Sequence, residues 1–332
     1  MEFDVTMPLV LFAVTVAAVF LNKRIEGKME TTFAAREFRM RDTVLFVAMI
    51  IVAVTVIAFV PQMAIMTVFM FSYSALLFMF SYIFSNMAKR KAQLFCLAFG
   101  VAGLATGTIA LQFPATDSFM VYGSWALYCL AAFAFFASVY EQKRAETRER
   151  WYLAVLPPAL FLLLYLFYKG TPLWFPYFFN IFAITFAILI TLYLSSLFKW
   201  KIVLIFAGLL TIMDIILVFG TGTMGEAATT LLDLSLPIAV VLPHIPIQGG
   251  IIYGGLGLGD FFFAGLLTTQ THKKLGQKTA VIAALAMAIS LGVFYTMQLY
   301  WQIPFFPATV NIICGWLPVV AVKLLIERKV KK

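Results

Sequence analysis

"GGLGLGD", Gly254 to Asp260, sits inside the apolar run "IIYGGLGLGDFFFAGLL" (251–267). Glycines loosen a helix, and then a carboxylate appears between leucines and phenylalanines. What surrounds this run decides the fold, because an acid is ordinary in water and costly in lipid. The rest of the chain supplies the answer. Its 332 residues are 63% hydrophobic and 12% charged, with 35 phenylalanines and a mean hydropathy of +0.98. A soluble chain could not hide that much apolar side chain. Repeated apolar stretches of about 20 residues predict an all-α polytopic membrane protein. The runs are continuous rather than alternating, which argues against a barrel of strands.

Eleven spans are expected, near 6–21, 43–60, 64–88, 93–112, 120–140, 151–168, 173–197, 202–220, 249–270, 279–300 and 307–326. Pro61 and Gln62 supply the turn between the second and third. The first run lacks a preceding basic segment and a small-residue cleavage site, so it reads as a retained span. Basic residues test the count. With eleven spans, every Lys and Arg except Lys169 falls on one side. Excess Lys and Arg marks the cytoplasmic face. The amino terminus is therefore expected outside and the carboxyl terminus in the cytoplasm. The formal charge of +9 then reads as topology rather than nucleic-acid binding, with anionic-lipid contact as a side effect.

Cys96, Cys129 and Cys314 lie in apolar context without metal-ligand spacing. Neither a disulfide framework nor a zinc site is expected, nor any other metal or cofactor. His244 and His272 fall in expected connections and show no ligand partners. The longest outer connection, 221–248, holds a short amphipathic segment between Glu226 and Asp233. Its "IAVVL" (238–242) reads as a short strand or a re-entrant piece.

Of the fifteen acidic residues, all but Asp214 and Asp260 fall in connections, termini or span edges. Asp inside a span costs about 2.5 to 3.5 kcal/mol on insertion scales, so each is a functional hypothesis. The two spans are consecutive and therefore antiparallel. Asp214 lies six residues before the outer end of its span, and Asp260 about eleven after the start of the next. At 1.5 Å per residue the two depths differ by roughly 8 Å, which loosening near the glycines can absorb.

Two facing carboxyls in a low-dielectric site cannot both ionise, so they share a proton. The ionised member can activate water, and the protonated member can polarise a carbonyl and later protonate the leaving amine. That is aspartyl proteolysis. Buried carboxylates also bind sodium or protons in transporters, where broken helices line the site. The pair alone fits both uses equally.

Gly257-Leu258-Gly259-Asp260 resembles the signature of the GxGD intramembrane aspartyl proteases, the presenilin and signal peptide peptidase family. Asp214 matches that family's first catalytic aspartate and Asp260 its second. The intervening "LLDLSLPIAVVLP" (231–243) looks like the stretch the family places between them. Pro307-Ala308-Thr309 resembles its Pro-Ala-Leu motif. The likeness covers roughly 200–326 and weakens toward the amino terminus. The family carries Tyr before the first aspartate where this chain has Met213, which removes a hydroxyl, and Leu where this chain has Thr309. The resemblance implies a nine-span helical core in 61–332, with catalytic spans 202–220 and 249–270, preceded by two extra spans in 1–60.

The charge pattern resembles signal peptide peptidases rather than presenilins. Short polar segments point to a microbial cell-membrane enzyme acting without an obligatory partner subunit. The substrates implied are transmembrane helices and remnant signal peptides, with an extended substrate segment pairing along 237–243 or near Pro304 to Thr309. Gly257, Leu258 and Gly259 would support the site by admitting backbone, and Pro307, Ala308 and Thr309 by shaping its far wall. Tyr253 and Asn311 are further candidates. For Tyr253 an interfacial anchor is an equal reading. For the glycines, and for Gly103 and Gly107, plain helix packing is the alternative.

Overall fold

The computed structural model describes residues 4–32, 39–57, 60, 62–112, 118–143, 150–221, 223–244, 253–301 and 306–330. The expected turn residue Pro61, and Pro304, lie outside them. The described chain folds into helices α1 (Thr6–Thr32), α2 (Met40–Ile57), α3 (Gln62–Ile83), α4 (Lys89–Ala110), α5 (Ser118–Lys143) and α6 (Trp151–Tyr168). A π-helical turn (Leu173–Phe178) leads into α7 (Phe179–Leu197), and a second (Ile216–Thr221) follows α8 (Trp200–Ile215). Then come α9 (Thr223–Asp233), strands β1 (Ala239–Pro243) and β2 (Tyr253–Gly257), α10 (Leu258–Leu275), α11 (Gln277–Trp301) and α12 (Ala308–Val330). The protein is an all-α polytopic membrane protein. Among the described residues, nine helices are long and apolar enough to cross a membrane.

Each of the eleven expected spans contains a helix, but two fall short of that measure. The apolar part of α1 is limited to Thr6–Asn22. The other is 249–270, which is not one helix. Residues 253–257 form β2, antiparallel to β1 in the register Ala239↔Gly257 through Pro243↔Tyr253. The expectation of a single span is corrected here, and its glycines supply the reason. Gly254, Gly255 and Gly257 are poor helix formers, and a strand partner satisfies their backbone instead. The short strand expected around 238–242 is β1, and the expected short helix is α9.

The chain divides into two compact units, residues 1–62 with 183–332, and 63–182. The segment 1–60, expected as two added spans, groups with the acid-bearing helices. In that unit α10 is the inner helix, packed against α1, α8, α11 and α12. Phe261, Phe263, Leu266 and Leu267 are fully buried, and so are Thr268, Thr269 and Thr271. A helix enclosed on all sides need not be apolar toward lipid, which is why α10 tolerates this polar run. Its polar groups are served internally. The Thr268, Thr269 and Thr271 hydroxyls donate to carbonyls four residues back. Gln270 Nε2 donates to the Ser195 and Phe198 carbonyls at 3.0 and 2.8 Å, satisfying the carboxyl end of α7. Trp316 Nε1 on α12 donates to Thr271 Oγ1 at 2.9 Å. His272, expected in a connection, lies in the last turn of α10.

In the other unit, α4 and α5 pack closely. A Cβ at Gly103 would lie 3.1 Å from the Leu127 carbonyl oxygen, and one at Gly107 would lie 2.9 Å from the Tyr128 ring. These glycines serve helix packing. Arg150 and Glu141 form a buried pair, with Nε donating to Oε2 at 2.8 Å. Arg150 also donates to the Met87 carbonyl at 2.7 Å, and the Tyr152 hydroxyl donates to Glu141. This cluster ties the segment after α3 to the end of α5 and the start of α6.

Candidate active site

Asp214 is buried in the last turn of α8, where the chain passes into its π-helical turn. Its Oδ2 accepts hydrogen bonds from the Thr309 hydroxyl at 2.6 Å and the Thr309 backbone N–H at 3.4 Å. Thr309 is the second residue of α12, so that N–H is one of the donors a helix start leaves unsatisfied. Asp214 thus caps α12 from a neighbouring helix, and the positive end of α12 favours its negative charge. Pro307 is buried just before α12, and its carbonyl accepts the Val310 N–H at 3.2 Å. Ala308 beside it is half-buried. Met213 is buried and contributes no donor. A hydroxyl nevertheless reaches Asp214, from Thr309.

Asp260 is the third residue of α10, half-buried and folded back over the helix start. Gly257 occupies the cap position with extended backbone, φ −65° and ψ 149°. A Cβ at Gly257 would stand 3.2 Å from Asp260 Oδ2, so the glycine leaves the carboxyl room. The Gly257 backbone N–H faces the carboxyl. A third-position acid turned toward the cap residue is half of a capping box. Leu258 is buried, and its N–H donates to the Ile238 carbonyl at 2.8 Å, so the residue before β1 satisfies another orphan donor of α10. Gly259 is exposed, and an added Cβ there meets nothing within 4 Å.

The two acids lie within Coulomb range of each other. The helices that carry them, α8 and α10, both pack against α12. The structure therefore brings Asp214, Asp260, Gly257 and Thr309 together, with Leu258, Gly259, Pro307 and Ala308 adjoining them in sequence. Two further candidates are Tyr253 and Asn311. Tyr253 is 44% exposed at the far end of β2, about 13 Å along the strand from Gly257 at 3.3 Å per residue. Asn311 is buried, and its carbonyl accepts the Ser290 hydroxyl at 2.7 Å. Among the described residues no hydrogen bond joins it to either acid, and its Oδ1 has no partner.

Sequence reading missed the anchor at the far end of the ribbon. His244 Nε2 and the Tyr295 hydroxyl are 2.9 Å apart, and the Thr6 hydroxyl donates to the Pro243 carbonyl at 3.0 Å. The available signal was Gly254. A Cβ there would come within 2.5 Å of His244 Nε2, and a glycine inside a strand marks such close approach. Among the described residues, no group of three His, Cys, Asp or Glu side chains could hold a metal ion. No family model, curated protein or solved structure matches the chain.

Proposed function

We propose that the chain is an intramembrane aspartyl endopeptidase, similar to the presenilin and signal peptide peptidase family, that hydrolyses peptide bonds in transmembrane helices or remnant signal peptides. The observation that carries this reading is the placement of two acids in Coulomb range, Asp214 against the start of α12 and Asp260 in the first turn of α10, each with a backbone donor turned toward it. Asp214 and Asp260 share one proton, activate water and protonate the leaving amine. The β1–β2 ribbon runs into Gly257, so an extended substrate segment lying along it arrives beside Asp260, where Gly259 leaves space. The basic side of the chain faces the cytoplasm and the acids lie in the outer half of the membrane. The enzyme acts without a partner subunit.

The π-helical turn after Asp214 and the strand before Asp260 interrupt the helices at both acids. That feature also suits a cation- or proton-coupled transporter. One comparison separates the two. Purified protein is given a transmembrane peptide, and in vesicles a cation or proton gradient, alongside Asp214→Asn and Asp260→Asn. Proteolysis predicts cleavage by the unaltered protein and none by either variant. Acid-dependent flux without cleavage would establish transport instead.

A further inference from the structure

We infer that Thr309 makes the two acids unequal, holding Asp214 as the ionised, water-activating member and leaving the proton on Asp260. This rests on the aspartyl-protease reading. Most threonines in these helices spend their hydroxyl on their own backbone. Thr191, Thr211, Thr268 and Thr271 each donate to the carbonyl four residues back. Thr309, the second residue of α12, instead turns its hydroxyl to a neighbouring helix. It donates to Asp214 Oδ2 at 2.6 Å. Both residues are 5% exposed, so water competes little for the bond.

The backbone N–H of Thr309 points at the same oxygen. Two donors therefore converge on Oδ2, and both favour the charged form of this carboxyl. Asp214 Oδ1 is left to face the reaction. Asp260 has the Gly257 N–H turned toward it. Like charges at this range cannot both persist, and the proton goes to the member with the weaker donor set. That member is Asp260.

The roles follow with every proton placed. Asp214 Oδ1 takes a proton from water as the water oxygen bonds to the scissile carbonyl carbon. Asp260 gives its proton to the carbonyl oxygen, producing a neutral gem-diol. On collapse, one diol hydroxyl returns a proton to Asp260. Asp214, protonated since the attack of water, passes that proton to the amide nitrogen, and the carbon–nitrogen bond breaks. Acid and amine leave, and the pair returns to its starting state. Thr309 touches no reacting atom in this sequence. It is a positioning residue.

The test compares Thr309→Val, which keeps the shape and removes the hydroxyl, with Thr309→Ser, which restores it. Thr309→Ala replaces the valine variant if Val spoils folding. Hydrogen bonds to a charged group set the scale, so kcat should fall about ten- to a hundredfold in Thr309→Val. KM should be unchanged, and Thr309→Ser should stay within about threefold of the unaltered protein by the same scale. A carboxylate that loses its donors accepts a proton more readily, so the acidic limb of the pH–rate profile should move to higher pH in Thr309→Val only. Unchanged kcat, an unmoved limb, or equal damage in Thr309→Ser would overturn the assignment. Asp214→Asn and Asp260→Asn run alongside. If both are inactive while Thr309→Val behaves normally, the protease reading stands and only this inference fails. If either cleaves normally, the dyad reading fails and this inference with it.

Discussion

Gly259 and Gly257 bracket Leu258 but do different work. Gly257 makes room for the Asp260 carboxyl within the folded protein, whereas nothing in the fold presses on Gly259. Gly259→Ala should therefore leave melting unchanged or raise it, since Ala is favoured over Gly in a helix by about 1 kcal/mol. Cleavage of a transmembrane peptide should fall, because the added methyl occupies the open side of the first α10 turn. Equal activity in a steady-state assay would show that substrate does not approach there. The acids themselves were legible in the sequence, since cost in lipid singles out Asp214 and Asp260 from fifteen candidates. The bond from Thr309 to Asp214 was not. It joins residues 95 positions apart, and no local pattern encodes which oxygen a hydroxyl meets.

At the scale of elements, the seam between α11 and α12 fixes where the start of α12 lies. A Cβ at Gly315 would come within 2.5 Å of the Ala286 carbonyl oxygen and 2.6 Å of the Met287 Cα. Backbone cannot move aside as a flexible side chain can. Gly315→Ala should cost about 1–3 kcal/mol and lower the melting temperature, with a parallel loss of activity as Thr309 shifts from Asp214. The buried Glu141–Arg150 pair makes a second prediction. Glu141→Ala leaves Arg150 charged and enclosed, and thermal unfolding should report a loss of about 3–5 kcal/mol. Glu141→Leu with Arg150→Met should recover part of it. Helices were readable from apolar length. Strand β2 was not, because its residues continue an apolar run and only pairing with β1 reveals the break at Leu258. Gly254 and Gly255 carried that signal, but the same glycines also fit a loosened helix.

For the molecule as a whole, the one-sided distribution of Lys and Arg predicts orientation. With Cys96, Cys129 and Cys314 replaced by Ser, Asp233→Cys at the end of α9 should react with a membrane-impermeant thiol reagent in intact cells. Gln277→Cys at the start of α11 should react only after permeabilisation. The reverse pattern would overturn the orientation. The multi-pass class followed from composition alone, but the grouping of α1 and α2 with residues 183–332 did not, since packing partners distant in sequence leave no mark on hydropathy. The enclosure of α10 has a consequence for how the chain is made. Thr268 to Thr271 and the His272-Lys273-Lys274 end would partition poorly into lipid without neighbours. During synthesis this helix emerges before α11 and α12, two of the helices that enclose it. A chain truncated after Leu275 should leave α10 accessible to water-soluble labels, and the full chain should bury it. Asp260 would then reach Asp214 only once the last helix has been delivered, so a half-made protein carries both acids without an assembled pair.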